Sequence, residues 1–424
     1  MIPPFFKWLS MKPLFIFLGL LLHSMNIYAD EQHKHDHENK AKDTPALRWN
    51  MQGLMSVGTS NVENDILMSL QKGTHDPQKS GFNLQHIGLS VDFMIDSSTK
   101  LAVALQANDE EFGLEQLYLK TDHYQPITLK VGYFASAFGR LNADHHGNFW
   151  LDYPVINARL LGGEGTRGMG IELAHQLPVN WSSQISFSIQ NADDETAISF
   201  LGEGHSHGDD DQDHQHINTE EYPFYDGVGG TPIVRTKSSQ ISDFLYTLRS
   251  TQQWQPSSSL TVNWGLSGMR GANRAGKNSK TYLYGTDLTV IIHLTPTHTL
   301  TWQSEWMQRH FQVGAYQDDI MTIKNNTLKD SGFYSQLLYQ FHPQWKIGLR
   351  YDDATGDHAL FYGQRTQDEL RSDRYRISSL LTWSPWRPLT FHLQHNYDVA
   401  DFTDKKASTV WLGASWTWGM GHHE

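Results

Sequence analysis

The sequence predicts an all-β fold: a transmembrane, antiparallel, up-and-down barrel of about 16 strands with long extracellular loops. Three observations predict it. Segments of about 10 residues alternate large apolar side chains with small or charged ones, as in Trp345 to Asp352, WKIGLRYD. Short proline-bearing turns (HYQP, LPVNW, QPSSS, TPTHT, HPQW, SPWRP) alternate with longer polar connections. The chain holds 14 Trp, 17 Tyr and 20 Phe at a mean hydropathy of only -0.51. That combination suits a surface with lipid on one face and water on the other.

Taken in order, residues 1–29 read as a secretory signal, with two lysines before the apolar run PLFIFLGLLL and Ala29 ahead of Asp30. No later apolar run approaches the roughly 18 residues of a membrane helix. Residues 30–46 form a short periplasmic leader carrying His33, His35 and His37. Strands are expected at about 47–58, 84–95, 100–109, 113–122, 127–139, 169–178, 183–194, 242–255, 259–273, 279–294, 300–314, 331–343, 344–356, 372–385, 389–401 and 407–420, before a tail over 421–424. An even count lets both termini lie in the periplasm, which puts every short turn there and every long loop outside. Trp181, Trp254, Trp345, Trp383 and Trp386 then form an aromatic girdle at the short-turn end. The absence of cysteine suits an exported fold closed by hydrogen bonds rather than disulfides.

In this register the lumen receives Asp92, Lys130, Arg249, Asp287, Glu305, Arg309, Lys346, Arg350, Asp352, Arg376 and His392, where charge is inexpensive because it meets water. The third extracellular loop, 140–167, is too long for a hairpin and too apolar for a solvated surface: Phe149, Trp150, Leu151, Val155, Ile156 and Leu160 need cover. Its composition predicts a loop folded into the pore, as in general-diffusion porins, with Asp144, His145, His146, Asp152 and Glu164 at a constriction able to contact a divalent cation. The bland alternative is that these polar groups only fix the loop to the wall. The loop 195–241 contains GEGHSHGDDDQDHQH, with four histidines and five acidic residues. Its His205, His207, Asp209, Asp211, His214 and His216 can wrap a zinc-like ion weakly, because a loop must order itself to bind; the alternative is a solvated acidic surface.

The stretch FGRLNADHHGNFWLDYPVINARLLGGEGTRGMGIELAHQLP, 138–178, resembles the signature region of the zinc-regulated outer-membrane proteins of Gram-negative bacteria. The shared features are an FGR, a histidine-bearing Trp-Asp segment and an Arg-Leu-Leu-Gly-x-Glu-Gly run. The resemblance implies a role in zinc uptake. Such proteins are often labelled TonB-dependent receptors; those carry a plug before a 22-stranded barrel, whereas only about 17 residues separate Asp30 from the first expected strand.

The function expected is therefore a porin-like outer-membrane channel for passive uptake of divalent metal, most simply zinc, with no required cofactor and weak metal binding at its histidine-rich loops. The alternatives are a porin for another solute such as phosphate and a sealed surface metal-binding or adhesion barrel. Expected partners are outer-membrane lipid and lipopolysaccharide, divalent ions and a periplasmic zinc-binding protein, with the oligomer open between one copy and a homotrimer. The net charge of -13 excludes a nucleic-acid partner. No motif pairs a nucleophile with a base, which argues against an enzyme.

Overall fold

The computed structural model describes residues 47–420 apart from 71–72, 110–111, 143–148, 203–236, 277, 318–321, 324, 358–359, 362–363 and 366–370. The signal segment, the leader histidines His33, His35 and His37, loop residues Asp144, His145 and His146, the tract from His205 through Asp209 and Asp211 to His214 and His216, and the tail lie outside the described residues.

Sixteen strands close into one antiparallel barrel. They are β1 (Leu47–Ser60), β2 (Gly81–Met94), β3 (Thr99–Ala107), β4 (Phe112–Tyr124), β5 (Ile127–Ala135), β6 (Arg167–Gln176), β7 (Ser182–Gln190) and β8 (Leu245–Ser257) in the first half. The second half is β9 (Leu260–Ala272), β10 (Lys280–Thr295), β11 (His298–Val313), β12 (Asn326–His342), β13 (Trp345–Gly356), β14 (Arg374–Trp386), β15 (Leu389–Ala400) and β16 (Ala407–Met420). Each strand pairs with its sequence neighbours, and β1 closes on β16 from Trp49 opposite Met420 to Ser60 opposite Thr409. Closure is what the solvent demands: in hydrocarbon an unpaired edge amide has no partner, so only a sheet without edges survives.

The period of two decides which side chains meet lipid. Leu117, Leu119, Val131, Ile171, Leu173, Trp264, Leu266, Trp302, Trp306, Leu337, Leu349 and Leu412 are all exposed, and the residues between them are turned inward. At the short-turn end the tryptophans gather into a girdle, with Trp345 and Trp383 stacked at 5.7 Å and Trp181 tilted on Trp254 at 6.3 Å.

Inside, the connection after β5 folds into the barrel. It carries helix α2 (Val155–Leu161), following the short α1 (Asn64–Ser69) in the first long loop, and every residue of α2 is buried. Its apolar groups find sites where the wall has no side chain. A Cβ at Gly348 would stand 3.1 Å from Trp150, one at Gly413 2.5 Å from Leu151 and one at Gly285 3.0 Å from Phe138. Large loop residues against wall glycines let the loop lie close to the sheet.

Candidate functional site

The inner loop is held by charge. Asp152 stands between two strands: Arg350 of β13 reaches one carboxylate oxygen at 2.5 Å, while Arg376 of β14 reaches the other at 2.8 Å, joined there by Asn396 of β15 at 2.6 Å. Both arginines have a second carboxylate, Asp352 for Arg350 at 2.8 Å and Asp398 for Arg376 at 2.8 Å, and Arg374 also binds Asp398 at 2.6 Å. A neighbouring node centres on Asp330, which accepts from Arg309 at 2.8 Å and Arg371 at 2.7 Å. Arg159 of α2 donates to the Ser372 carbonyl at 2.7 Å, and Ser199 of the following loop donates to the Leu160 carbonyl at 2.5 Å. At the loop's far end Glu164 binds Arg167 at 2.6 Å and accepts from Gln106 at 2.7 Å. At its near end Gly139, at φ 62°, turns the chain inward so that its amide donates to Ser267, while the Arg140 amide donates to Glu305 at 2.8 Å.

Burial alone would raise the Asp152 carboxyl, but the Arg350 and Arg376 guanidiniums outweigh it and hold Asp152 below the usual carboxylate range. Asp76, in the first long loop, has the opposite environment. Its oxygens accept from the amides of Gly73 and Tyr153 at 2.8 and 2.7 Å, and burial, then the nearby Asp152 charge, push its carboxyl well up.

The structure therefore gives the two described carboxylates singled out as metal contacts, Asp152 and Glu164, a different employment. Both are saturated by arginine and amide donors, and an arginine-bound carboxylate is a poor ligand because a metal would have to displace charge-assisted bonds. His75, His86 and His392 line one cleft together with Asp152, and the His75 and His86 rings lie 4.9 Å apart. Even so, among the described residues no group of three or more His, Asp or Glu is placed to hold a metal ion.

Of the residues read as pore-lining, Lys130, Arg249, Asp287, Glu305, Arg309, Lys346, Arg350, Arg376 and His392 all face inward, yet most do not line water. Glu305, Arg309, Arg350 and Arg376 are covered by the loop, Arg249 and Asp287 pair at 2.7 Å, and His392 is buried against Ser415 at 2.9 Å. Sequence reasoning missed Asp76, Asp330, Arg371, Arg374, Asp398 and Arg159. The period of two carried a signal for Asp398, which has the parity of His392 on β15. No such signal marks Asp76 or Arg159, because neither lies on a strand.

Of a row of cations near the short-turn end, sequence reasoning named only Lys130. Lys100, Lys120 and Lys130 lie directly opposite one another on β3, β4 and β5, all turned inward. Lys100 pairs with Asp92 at 2.7 Å and Lys130 with Glu172 at 2.8 Å, while Lys120 is exposed and has no ion pair among the described residues. Lys346, across the lumen, lies 4.7 Å from the Phe149 ring centroid and likewise has no ion pair among the described residues.

Residues 70–366 match the family model described as phosphate-selective porin O and P. The chain belongs to that family. An uncharacterized protein of Aquifex aeolicus is 23% identical over 348 residues, covering 78% of this chain and 67% of that protein. Among solved structures the porin resembles an anion-selective porin from Comamonas acidovorans (TM-score 0.52, 8% identity, 88% of this chain and 100% of that one). It also resembles the outer-membrane channel DcaP of Acinetobacter baumannii (TM-score 0.51, 10% identity, 90% and 99%). These likenesses are of fold. The chain is an outer-membrane porin of a Gram-negative bacterium, and its barrel has 16 strands, not the 22 of a plugged receptor. The match gives no support to the zinc-regulated family or to the TonB label.

Two outcomes follow. Asp152→Ala leaves Arg350 and Arg376 short of a carboxylate, a loss of about 3–5 kcal/mol for a buried pair. Single-channel recordings should show a larger or noisier conductance while the barrel still migrates as folded on unheated gels. Asp76 has a raised folded value, so its contribution falls as pH climbs from about 4 toward neutrality. Asp76→Asn should therefore melt on the order of a few degrees higher than wild type at pH 8 and at the same temperature at pH 4.

Proposed function

We propose that this porin is anion-selective and passes oxyanions of the phosphate class. The observation that carries the reading is the lysine row: Lys100, Lys120 and Lys130 sit one strand apart, at ~4.8 Å backbone spacing, with two carboxylates between them, and Lys346 adds a further cation without an acid. Arg309, Arg350, Arg371, Arg374 and Arg376, deeper in the barrel, are all tied up in ion pairs with aspartate beneath the loop, so the selecting field is assigned to the lysines. In water-like surroundings a charge at ~4 Å is worth about 1 kcal/mol. Two uncompensated lysines thus bias passage without trapping the ion, as conduction requires. The family match and the likeness to a porin described as anion-selective support the same sign. Movement is passive, and three copies per assembly fit a porin of this size.

The histidine-rich tract supports a second, smaller reading. Four imidazoles and five acidic side chains within Gly202 to His216 make a weak divalent-ion trap. The metal would then be a ligand of the outer loop rather than the cargo of the pore.

In planar bilayers under a KCl gradient the zero-current potential should have the anion-selective sign, and inorganic phosphate should reduce the chloride current. Lys120→Ala with Lys346→Ala should lower the anion-to-cation permeability ratio roughly 30-fold, from about 1 kcal/mol for each of the two charges. A cation-selective wild type, or one whose current responds to Zn(II) and not to phosphate, would return the pore to metal uptake.

A further inference from the structure

The outward face of the barrel should be apolar up to its extracellular rim, and around much of the perimeter it is: Phe82, Phe112, Met169 and Val410 are exposed near that end. One sector departs from this. Arg270 on β9 lies opposite Tyr246 on β8 and Tyr282 on β10; Tyr282 lies opposite His310 on β11; and His310 lies opposite Lys329 on β12. All five share the parity of the lipid-facing residues Leu248, Leu266, Tyr284, Trp306 and Leu337 on the same strands. The row therefore faces outward, just above the apolar band.

Arg270 and Lys329 are exposed, and neither makes an ion pair among the described residues. The other basic group in the sector, Lys280, is held by Asp243 at 3.6 Å and the Ser242 carbonyl at 2.5 Å. Asp357 lies opposite Lys329; its carboxylate accepts the Lys329 backbone amide at 2.9 Å and makes no ion pair with the Lys329 ammonium among the described residues. The His310 ring packs edge-on to Tyr284 with centroids 5.7 Å apart, which steadies it against the wall.

We propose that this row is a binding site for the phosphorylated sugar headgroup of an outer-leaflet glycolipid, the lipid A end of lipopolysaccharide. Uncompensated cations at the edge of hydrocarbon are costly unless an anion meets them, and their outward direction leaves the membrane itself as the source of that anion. The geometry fits a disaccharide bearing a phosphate at each end: three strand gaps of ~4.8 Å separate Arg270 from Lys329 by roughly 14 Å. Tyr282 and His310 stand between them to meet the sugar, and Leu248, Trp264, Leu266, Trp306 and Leu337 lie below for acyl chains. A second copy of the chain is the competing occupant, and the test below separates it from the lipid.

The test is retention of lipid A by the full-length barrel purified in mild detergent, read by native mass spectrometry. The wild type should carry bis-phosphorylated lipid A, and R270E/K329E should lower its apparent affinity at least 10-fold while unheated-gel migration and single-channel conductance stay unchanged. Lipid A stripped of both phosphates should bind wild type as weakly as the variant binds the intact lipid, a comparison that needs no mutant to fold. Equal retention by wild type and variant, or equal binding of the intact and dephosphorylated lipids, overturns the proposal. So does a variant that loses its oligomeric state while keeping the lipid, which would make the row a subunit contact.

Discussion

The interior of this barrel depends on one carboxylate. Asp152 takes Arg350 with one oxygen and Arg376 with the other, and through them it is tied to Asp352, Asp398 and Arg374 on three consecutive strands. Without Asp152 the wall would present buried guanidinium groups short of an acid, and without the wall the loop would carry an aspartate into a low-dielectric layer alone. Each half is unfavourable without the other. This mutual requirement seats the loop, and the apolar fit of Trp150, Leu151 and Phe138 over wall glycines follows from being brought within reach.

That arrangement divides the lumen into two kinds of charge. Where the loop lies on β11 to β15, arginines are bound in ion pairs with aspartate and serve as mortar. Along β3 to β5, away from those contacts, the three lysines share two acids, and Lys120 has no acid partner among the described residues. A count of charged residues facing inward would treat both groups alike. Only the pairing shows that selectivity should reside in the second.

Much of the fold was legible in the sequence because a membrane barrel is repetitive. The alternation that turns Leu349 out and Arg350 in repeats from strand to strand, and proline marks six of the seven connections at the short-turn end. Expected strand ends differ from those observed by a few residues in most cases and by more for β12, which begins at Asn326 rather than near 331 because its upper part pairs with β11 above the apolar band. The loop was legible as an object that needed cover. The partners of its polar residues were not, since Asp152 meets groups 198 and 224 residues away. The Arg-Leu-Leu-Gly-x-Glu-Gly run now has a physical reading that does not involve zinc. Arg159 and Glu164 anchor the loop, Leu160 and Leu161 are buried, and Gly162 and Gly165 take φ of 87° and 72° that a side chain would strain.

The central claim is that the loop is seated inside the barrel, and the absence of native cysteine makes it directly measurable. Leu151→Cys with Gly413→Cys places two thiols where the Gly413 Cβ would stand 3.3 Å from the Leu151 Cγ, within reach of disulfide geometry. The account predicts that this pair oxidises in the assembled outer-membrane protein and leaves single-channel conductance unchanged, because the bond records a contact already present. Failure to form the bond, or a conductance that falls when it forms, would contradict it.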